Sequence, residues 1–244
     1  MVDAVLQRVR LQVCEAQEDW RQKCALEKDD ERPFVTLTYA QSIDGSIAAE
    51  RGTPTLLSGS ASMQMTHVLR KNPRPIIVDT NLRCPTSIKL FTSSTCEKPI
   101  ILCGRSLLDP EILERRQALE ALGAHVLECQ TVRGEDGRDH VDLRDAFRVV
   151  KQHGISTVMV EGGASLLTSC LQENFAKPLV DLVVVTVAPT FIGGLRAVTG
   201  SLAASESTLS ASSTAPTSFP RLQHPHYHVL DQDLVILGRF AAMN

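Results

Sequence analysis

Residues 156–167, STVMVEGGASLL, decide how this chain is read. An apolar, β-branched run ends in Glu161, two glycines follow, and a helical pattern begins at once. That order is strand, turn, helix. Gly162 and Gly163 remove side chains where a new helix exposes unpaired backbone N–H groups, which is where a phosphate or ribose can lie against the backbone. A tight turn with no ligand would use the same two glycines. Glu161 favours a site, because a carboxylate at the end of an apolar strand is costly to bury without a partner.

Outward from this turn the same alternation recurs. FVTLTYA (34–40), PIIVD (75–79), KPIILC (98–103), AHVLE (124–128) and LVDLVVVTVAP (179–189) read as strands. Helical patterns near 60–71, 110–122, 142–153 and from about 163 separate them. Such alternation predicts an α/β fold with a mainly parallel sheet and helices on both faces. Asp109-Pro110 marks a helix start, and Gly123 and Gly154 mark helix ends. The final YHVLDQDLVILGRF alternates like an antiparallel hairpin turning at residues 231–233, which makes the sheet mixed.

Before this domain, Val5, Val9 and Val13 recur every fourth residue, with Trp20 and Cys24 beyond, so residues 1–30 read as an amphipathic helical extension. Residues 31–244 then form the domain proper, as one α/β unit. Within it, about 201–222 is rich in Ser, Thr and Ala and reads as a flexible surface insertion.

With 25 basic and 28 acidic residues, the charge is near balance and interspersed, which argues against a nucleic-acid stripe or a polybasic membrane patch. The most apolar run, LVVVTVAP, is too short to cross a bilayer. Seven cysteines without a C-x-x-C pair read as reduced thiols, and a cytoplasmic protein acting on a small molecule is expected. No metal-ligand cluster stands out.

Four further segments carry chemistry-bearing residues. Asp44-Gly45 breaks the alternation after the first strand, as a turn or as part of a site. In LLSGSASMQMTHVLRK, Ser58 or Ser60 is expected to cap a helix carrying His67 and Arg70 on one side. Asp79-Thr80 ends another strand with groups suited to a phosphate or ribose. Pro189 and Gly193-Gly194 mark a loop after the most apolar strand.

Taken in order, VTLTYAQSIDGSIA, LSG followed by THVLR, PRPIIVDTNLRCP, VMVEGGASLL and VAPTFIGG resemble the riboflavin-pathway reductases, a family that includes the reductase domain of bacterial bifunctional riboflavin proteins. The resemblance spans roughly residues 33–240 without the Ser-rich stretch. It implies a dihydrofolate-reductase-like fold, usually homodimeric, that uses NADPH to reduce the ribosylamino side chain of a pyrimidinone 5′-phosphate to ribitylamino. It further implies that Gly162, Gly163, Ala164, Ser165 and Leu166 bind the cofactor phosphates, with Thr80 touching the same cofactor. Glu161 would hold the pyrimidine and, with Asp44, serve catalysis, while Ser58 and Arg70 would face the substrate.

One departure stands out. The family continues from the THVLR helix through another strand, a glycine-threonine loop and an aspartate-aspartate-proline turn, whereas here only Lys71, Asn72, Pro73 and Arg74 separate helix from strand. Two further readings stay open at this level: a non-catalytic binding or dimer-partner protein on the same scaffold, and, by fold analogy alone, a dihydrofolate reductase.

Overall fold

Helix α1 (Val2–Glu27) buries the stripe Leu6, Val9, Val13 and Ala16, one residue every three or four, as the sequence spacing requires. The stripe is part of a core cluster with Phe34, Met65, Leu182, Val184, Val235 and Leu237, and Trp20 meets Phe34 edge to face at 5.9 Å. At about 1.5–3 kcal/mol for each large apolar side chain removed from water, α1 is tied firmly to the sheet it covers.

The computed structural model describes residues 2–27, 31–53, 55–70, 73–93, 96–105, 109–134, 136–200, 202 and 219–241. After α1 come β1 (Phe34–Ser42), β2 (Ser46–Ala48), α2 (Ser60–Arg70), β3 (Ile76–Val78), α3 (Lys89–Thr92), β4 (Ile100–Gly104), α4 (Pro110–Ala121), β5 (His125–Cys129), β6 (Thr131–Arg133) and β7 (Asp139–Val141). There follow α5 (Leu143–Gln152), β8 (Thr157–Val160), α6 (Ala164–Ala176), β9 (Leu182–Ala188), β10 (Leu195–Arg196), β11 (Leu222–Leu230) and β12 (Asp233–Phe240). Most of the stretch expected to be an insertion lies outside the described residues. Among the described residues, no helix is long and apolar enough to cross a membrane.

The chain divides into two compact units. The first comprises Met1–Asp30, Phe34–Leu69 and Thr157–Asn244. Its five-stranded sheet has the order β11-β12-β9-β1-β8. The pairs β9-β1 and β1-β8 are parallel, and β12 joins β9 antiparallel. The parallel strands are rich in apolar and β-branched residues, the composition of strands covered on both faces. The C-terminal hairpin turns at Asp231, which takes a left-handed φ of 58°.

The second unit comprises Glu31–Pro33 and Arg70–Ser156, and holds the parallel sheet β3-β4-β5 with the small hairpin β6-β7. Asp109 caps α4 by accepting from Glu111 N–H at 2.9 Å, with Pro110 in the first turn. Gly123 and Gly154 follow their helices at φ 89° and 83°, backbone that a glycine adopts without strain. The fold is thus mixed α/β with parallel inner strands, but strands expected in one sheet are distributed over two. Only the five residues 71–75 link α2 to β3, too few for the dozen or more that return a chain to a parallel strand of the same sheet.

In the first unit, His228 of β11 is buried, and its Nε2 lies 2.8 Å from Gln12 Oε1 of α1. Burial, together with the cation of Arg8 and the ring of His226, pushes its pKa below the ordinary imidazole value. A base with a depressed folded pKa takes up its proton more readily when unfolded. Its contribution to stability is therefore complete above about pH 6.5 and lost as the pH falls below that value. The melting temperature is expected to fall between pH 7.5 and 5.5, and His228→Gln to flatten the slope; an equally steep slope in the variant would exclude His228 as its source.

Candidate functional site

Because β8, β1 and β9 are parallel, their carboxyl ends lie along one edge of the first unit's sheet, the edge at which open α/β sheets bind ligands. They do not end level. Val160, the last residue of β8, pairs with Leu37, whereas β9 accompanies β1 as far as Ser42 opposite Ala188. β1 therefore runs five residues, about 16 Å, beyond the end of β8. This leaves a step whose floor is residues 38–42 of β1, with Glu161 and the start of α6 at its foot and Asp44 beyond its far end. Half-buried Tyr39 lies on that floor, and burial raises its pKa, which keeps the phenol a hydrogen-bond donor at neutral pH.

The foot of the step is built by the two glycines. A Cβ on Gly162 would stand 2.5 Å from Leu166 Cβ, so only glycine lets the chain turn directly from β8 into α6. Gly163 is the N-cap, in extended backbone with no side-chain cap, and a Cβ there would meet only open space. The first helical bond runs from Leu167 N–H to Gly163 O at 3.1 Å. The N–H groups of Ala164, Ser165 and Leu166 thus lack intrahelical acceptors, at the positive end of a thirteen-residue helix. An uncapped, glycine-opened helix start fits the phosphates of a dinucleotide. Glu161 is exposed, contrary to the burial expected of it. Its significance therefore rests on its place beside this turn and not on a desolvation penalty.

Asp44, in the β1–β2 turn, accepts from the hydroxyls of Ser42 (2.6 Å) and Ser46 (2.8 Å) and from the N–H groups of Ile192 (3.2 Å) and Gly193 (3.0 Å). These bonds, the two hydroxyls first, hold its pKa well below the usual carboxylate range, so it is charged at any physiological pH. It clamps the β9–β10 loop to the end of β1. Gly194 completes the clamp at φ 79°, where a Cβ would stand 2.2 Å from the carbonyl oxygen of Ala49.

The RibD C-terminal domain model matches residues 69–236. The chain belongs to this family. A 2,5-diamino-6-ribosylamino-4(3H)-pyrimidinone 5′-phosphate reductase of Debaryomyces hansenii is 31% identical over 199 residues, covering 66% of this chain and 77% of its own. The Kluyveromyces lactis protein of the same name is 30% identical over 207 residues, covering 68% and 75% respectively. Among solved structures, the Saccharomyces cerevisiae riboflavin biosynthesis reductase Rib7 shares the fold with a TM-score of 0.57 at 24% identity, over 88% of this chain and 91% of its own.

The other expected site residues of this RibD C-terminal domain are placed as follows. Ser58 precedes α2, which opens at Gly59 and not on a serine cap: Gly59 O accepts from Met63 N–H, and Gly59 N–H is held by Asp233 at 2.9 Å. Arg70 is the last residue of α2. Thr80 belongs to the second unit, just past β3, where its Oγ1 accepts from Val141 N–H at 3.2 Å and its carbonyl from Gly104 N–H at 3.0 Å. Sequence reasoning missed Tyr39, Ser42, Ser46 and the backbone of Ile192 and Gly193. Pro189 and Gly193-Gly194 did signal that a loop was there.

Proposed function

We propose that this chain is an NADPH-dependent reductase of riboflavin biosynthesis, acting on 2,5-diamino-6-ribosylamino-4(3H)-pyrimidinone 5′-phosphate. The observation that carries the reading is the β8–Glu161–Gly162–Gly163–α6 turn, a carboxylate beside an uncapped helix start at the carboxyl edge of a parallel sheet. The names of the reductases it resembles supply the substrate, and that of a 28% identical Aquifex aeolicus protein, riboflavin biosynthesis protein RibD, the pathway.

When bound, the nicotinamide supplies a hydride to C1′ of the opened, imine form of the sugar, and a proton completes the amine. The residues of the chain hold and orient. The N–H groups of residues 164–166 and the hydroxyl of Ser165 receive the cofactor phosphates. Glu161 accepts hydrogen bonds from the exocyclic amines of the pyrimidine, while Ser58 and Arg70 serve the substrate, Arg70 by charge-assisted bonds to its 5′-phosphate. Permanently charged, Asp44 serves by fixing the loop and field at the end of β1 and does not give up a proton. The proposal extends to a homodimer in the cytoplasm.

The test is NADPH oxidation on adding the pyrimidine to the purified chain, with cofactor titration beside it. Turnover supports the reading; NADPH binding without turnover leaves a non-catalytic partner. In the active chain, Glu161→Gln is expected to raise KM for the pyrimidine about 10- to 100-fold, from the loss of a charged acceptor worth about 1–3 kcal/mol, with little change for NADPH. Unchanged KM and kcat would remove Glu161 from that role.

A further inference from the structure

Burial along β1 relaxes where β8 stops. Phe34–Thr38 are buried, whereas Tyr39, Ala40 and Gln41 are half-buried, and Val160, the last residue of β8, lies opposite Leu37. Side chains alternate along a strand, so Tyr39 shares a face with Leu37 and Val160, two residues or about 7 Å past their pairing. That face is turned away from α1 and α2, since Phe34, of the opposite parity, packs with Val9, Val13 and Met65 in the core cluster. On one flank Tyr39 is paired with Val185 of β9. On the other, β8 has already ended, and Gly162 and Gly163 place no side chain in the space. A ligand in the step takes the place of a strand, so it is within reach of both sheet faces and of Glu161 at the foot.

The hydroxyl of Tyr39 is unengaged. It makes no hydrogen bond to a described residue. Nor is it sealed in, for among the described residues only Ser62 carries a sealed polar side-chain atom without a partner. A tyrosine ring held against a sheet, with its hydroxyl reaching open space, is a donor ready for a ligand.

Reduction of an imine requires a proton at nitrogen as well as a hydride at carbon. Residues 38–46 and 158–166, which frame the step, contain no histidine, lysine or cysteine. Asp44 is a permanent anion already held by four donors, two of them the hydroxyls of Ser42 and Ser46. Glu161 serves the pyrimidine amines as an acceptor. Tyr39 is the remaining acid, and burial keeps its proton in place through the neutral range.

We propose that Tyr39 is a catalytic residue, the proton donor to the imine nitrogen, an assignment that rests on the reductase reading above. The phenol O–H bond breaks as the N–H bond forms. The C=N electron pair passes to nitrogen while C1′ takes the hydride of the reduced nicotinamide, and water reprotonates the phenolate. The imine is reduced, the nicotinamide is oxidised and Tyr39 is restored.

The chain has two tyrosines, and Tyr227 is 63% exposed on β11, so a Tyr227→Phe chain grown on fluorotyrosine carries its label at Tyr39 alone. NADPH and then the product, 2,5-diamino-6-ribitylamino-4(3H)-pyrimidinone 5′-phosphate, are added to this chain. Calorimetry records binding, and the fluorine resonance records contact without any need for turnover. The product is expected to move the resonance. Fluorotyrosine is the more acidic phenol, so the alkaline fall of kcat should begin at lower pH in the labelled chain. Tyr39→Phe should lose kcat about 100-fold or more, lose that alkaline fall, and keep its affinity for NADPH and for the product. Product that binds without moving the resonance would overturn the proposal and spare the reductase reading, as would a folded Tyr39→Phe with full kcat. Product that does not bind at all would remove both.

Discussion

Replacing Gly162 with valine is expected to abolish measurable NADPH binding and to lower stability, whereas Gly163→Ala should weaken binding while leaving the melting temperature unchanged. The two glycines are adjacent but do different work. At Gly162 an added Cβ meets Leu166 Cβ at 2.5 Å, Cδ2 at 2.8 Å and Cγ at 2.9 Å. Leu166 Cβ is fixed to the helix backbone, so the turn itself must move, and with it the N–H groups that the phosphates require. Overpacking of this kind costs about 1–3 kcal/mol of stability, and displaced donors cost more in affinity, since each lost charge-assisted bond is worth up to about 100-fold. At Gly163 there is open space and ordinary extended backbone, so alanine fits the protein. It occupies the face that a phosphate must approach, and about a tenfold loss is expected there, the equivalent of 1.4 kcal/mol. Titration calorimetry with thermal melting separates the cases. Gly163→Ala with full affinity, beside a folded Gly162→Val that still binds, would show that the cofactor lies elsewhere.

The elements most legible in the sequence were those whose cause is local. Asp109-Pro110 caps α4 through its own neighbour, Gly123 and Gly154 take the left-handed φ that ends a helix, and the spacing of Val9 and Val13 places the buried face of α1. The turn at Glu161–Gly163 was legible for the same reason, because strand, glycines and helix follow without interruption. What escaped depends on distant partners. Asp44 reads as a bare Asp-Gly turn until Ile192 and Gly193 arrive from 148 and 149 residues away. By sequence a serine is the natural cap of α2, but Asp233, 174 residues on, holds Gly59 instead. The β6-β7 hairpin has three-residue, mostly exposed strands joined by Arg133–Asp139, with no apolar alternation to reveal it. The separation into two sheets was foreshadowed only by the brevity of residues 71–75.

That brevity leads to the second large effect. Inserting after Lys71 a strand and glycine-threonine loop of the kind the family resemblance places there is expected to raise NADPH affinity by two orders of magnitude or more. The uncapped start of α6 offers three backbone donors, enough for part of a dinucleotide, and the family resemblance places further donors in the glycine-threonine loop that is missing here. Two or three such contacts at about 1–3 kcal/mol each convert to roughly 10²-fold or more in affinity. Calorimetric titration of the original and extended chains decides the matter: equal NADPH affinity in the two would show that the five-residue link after α2 costs the cofactor site nothing.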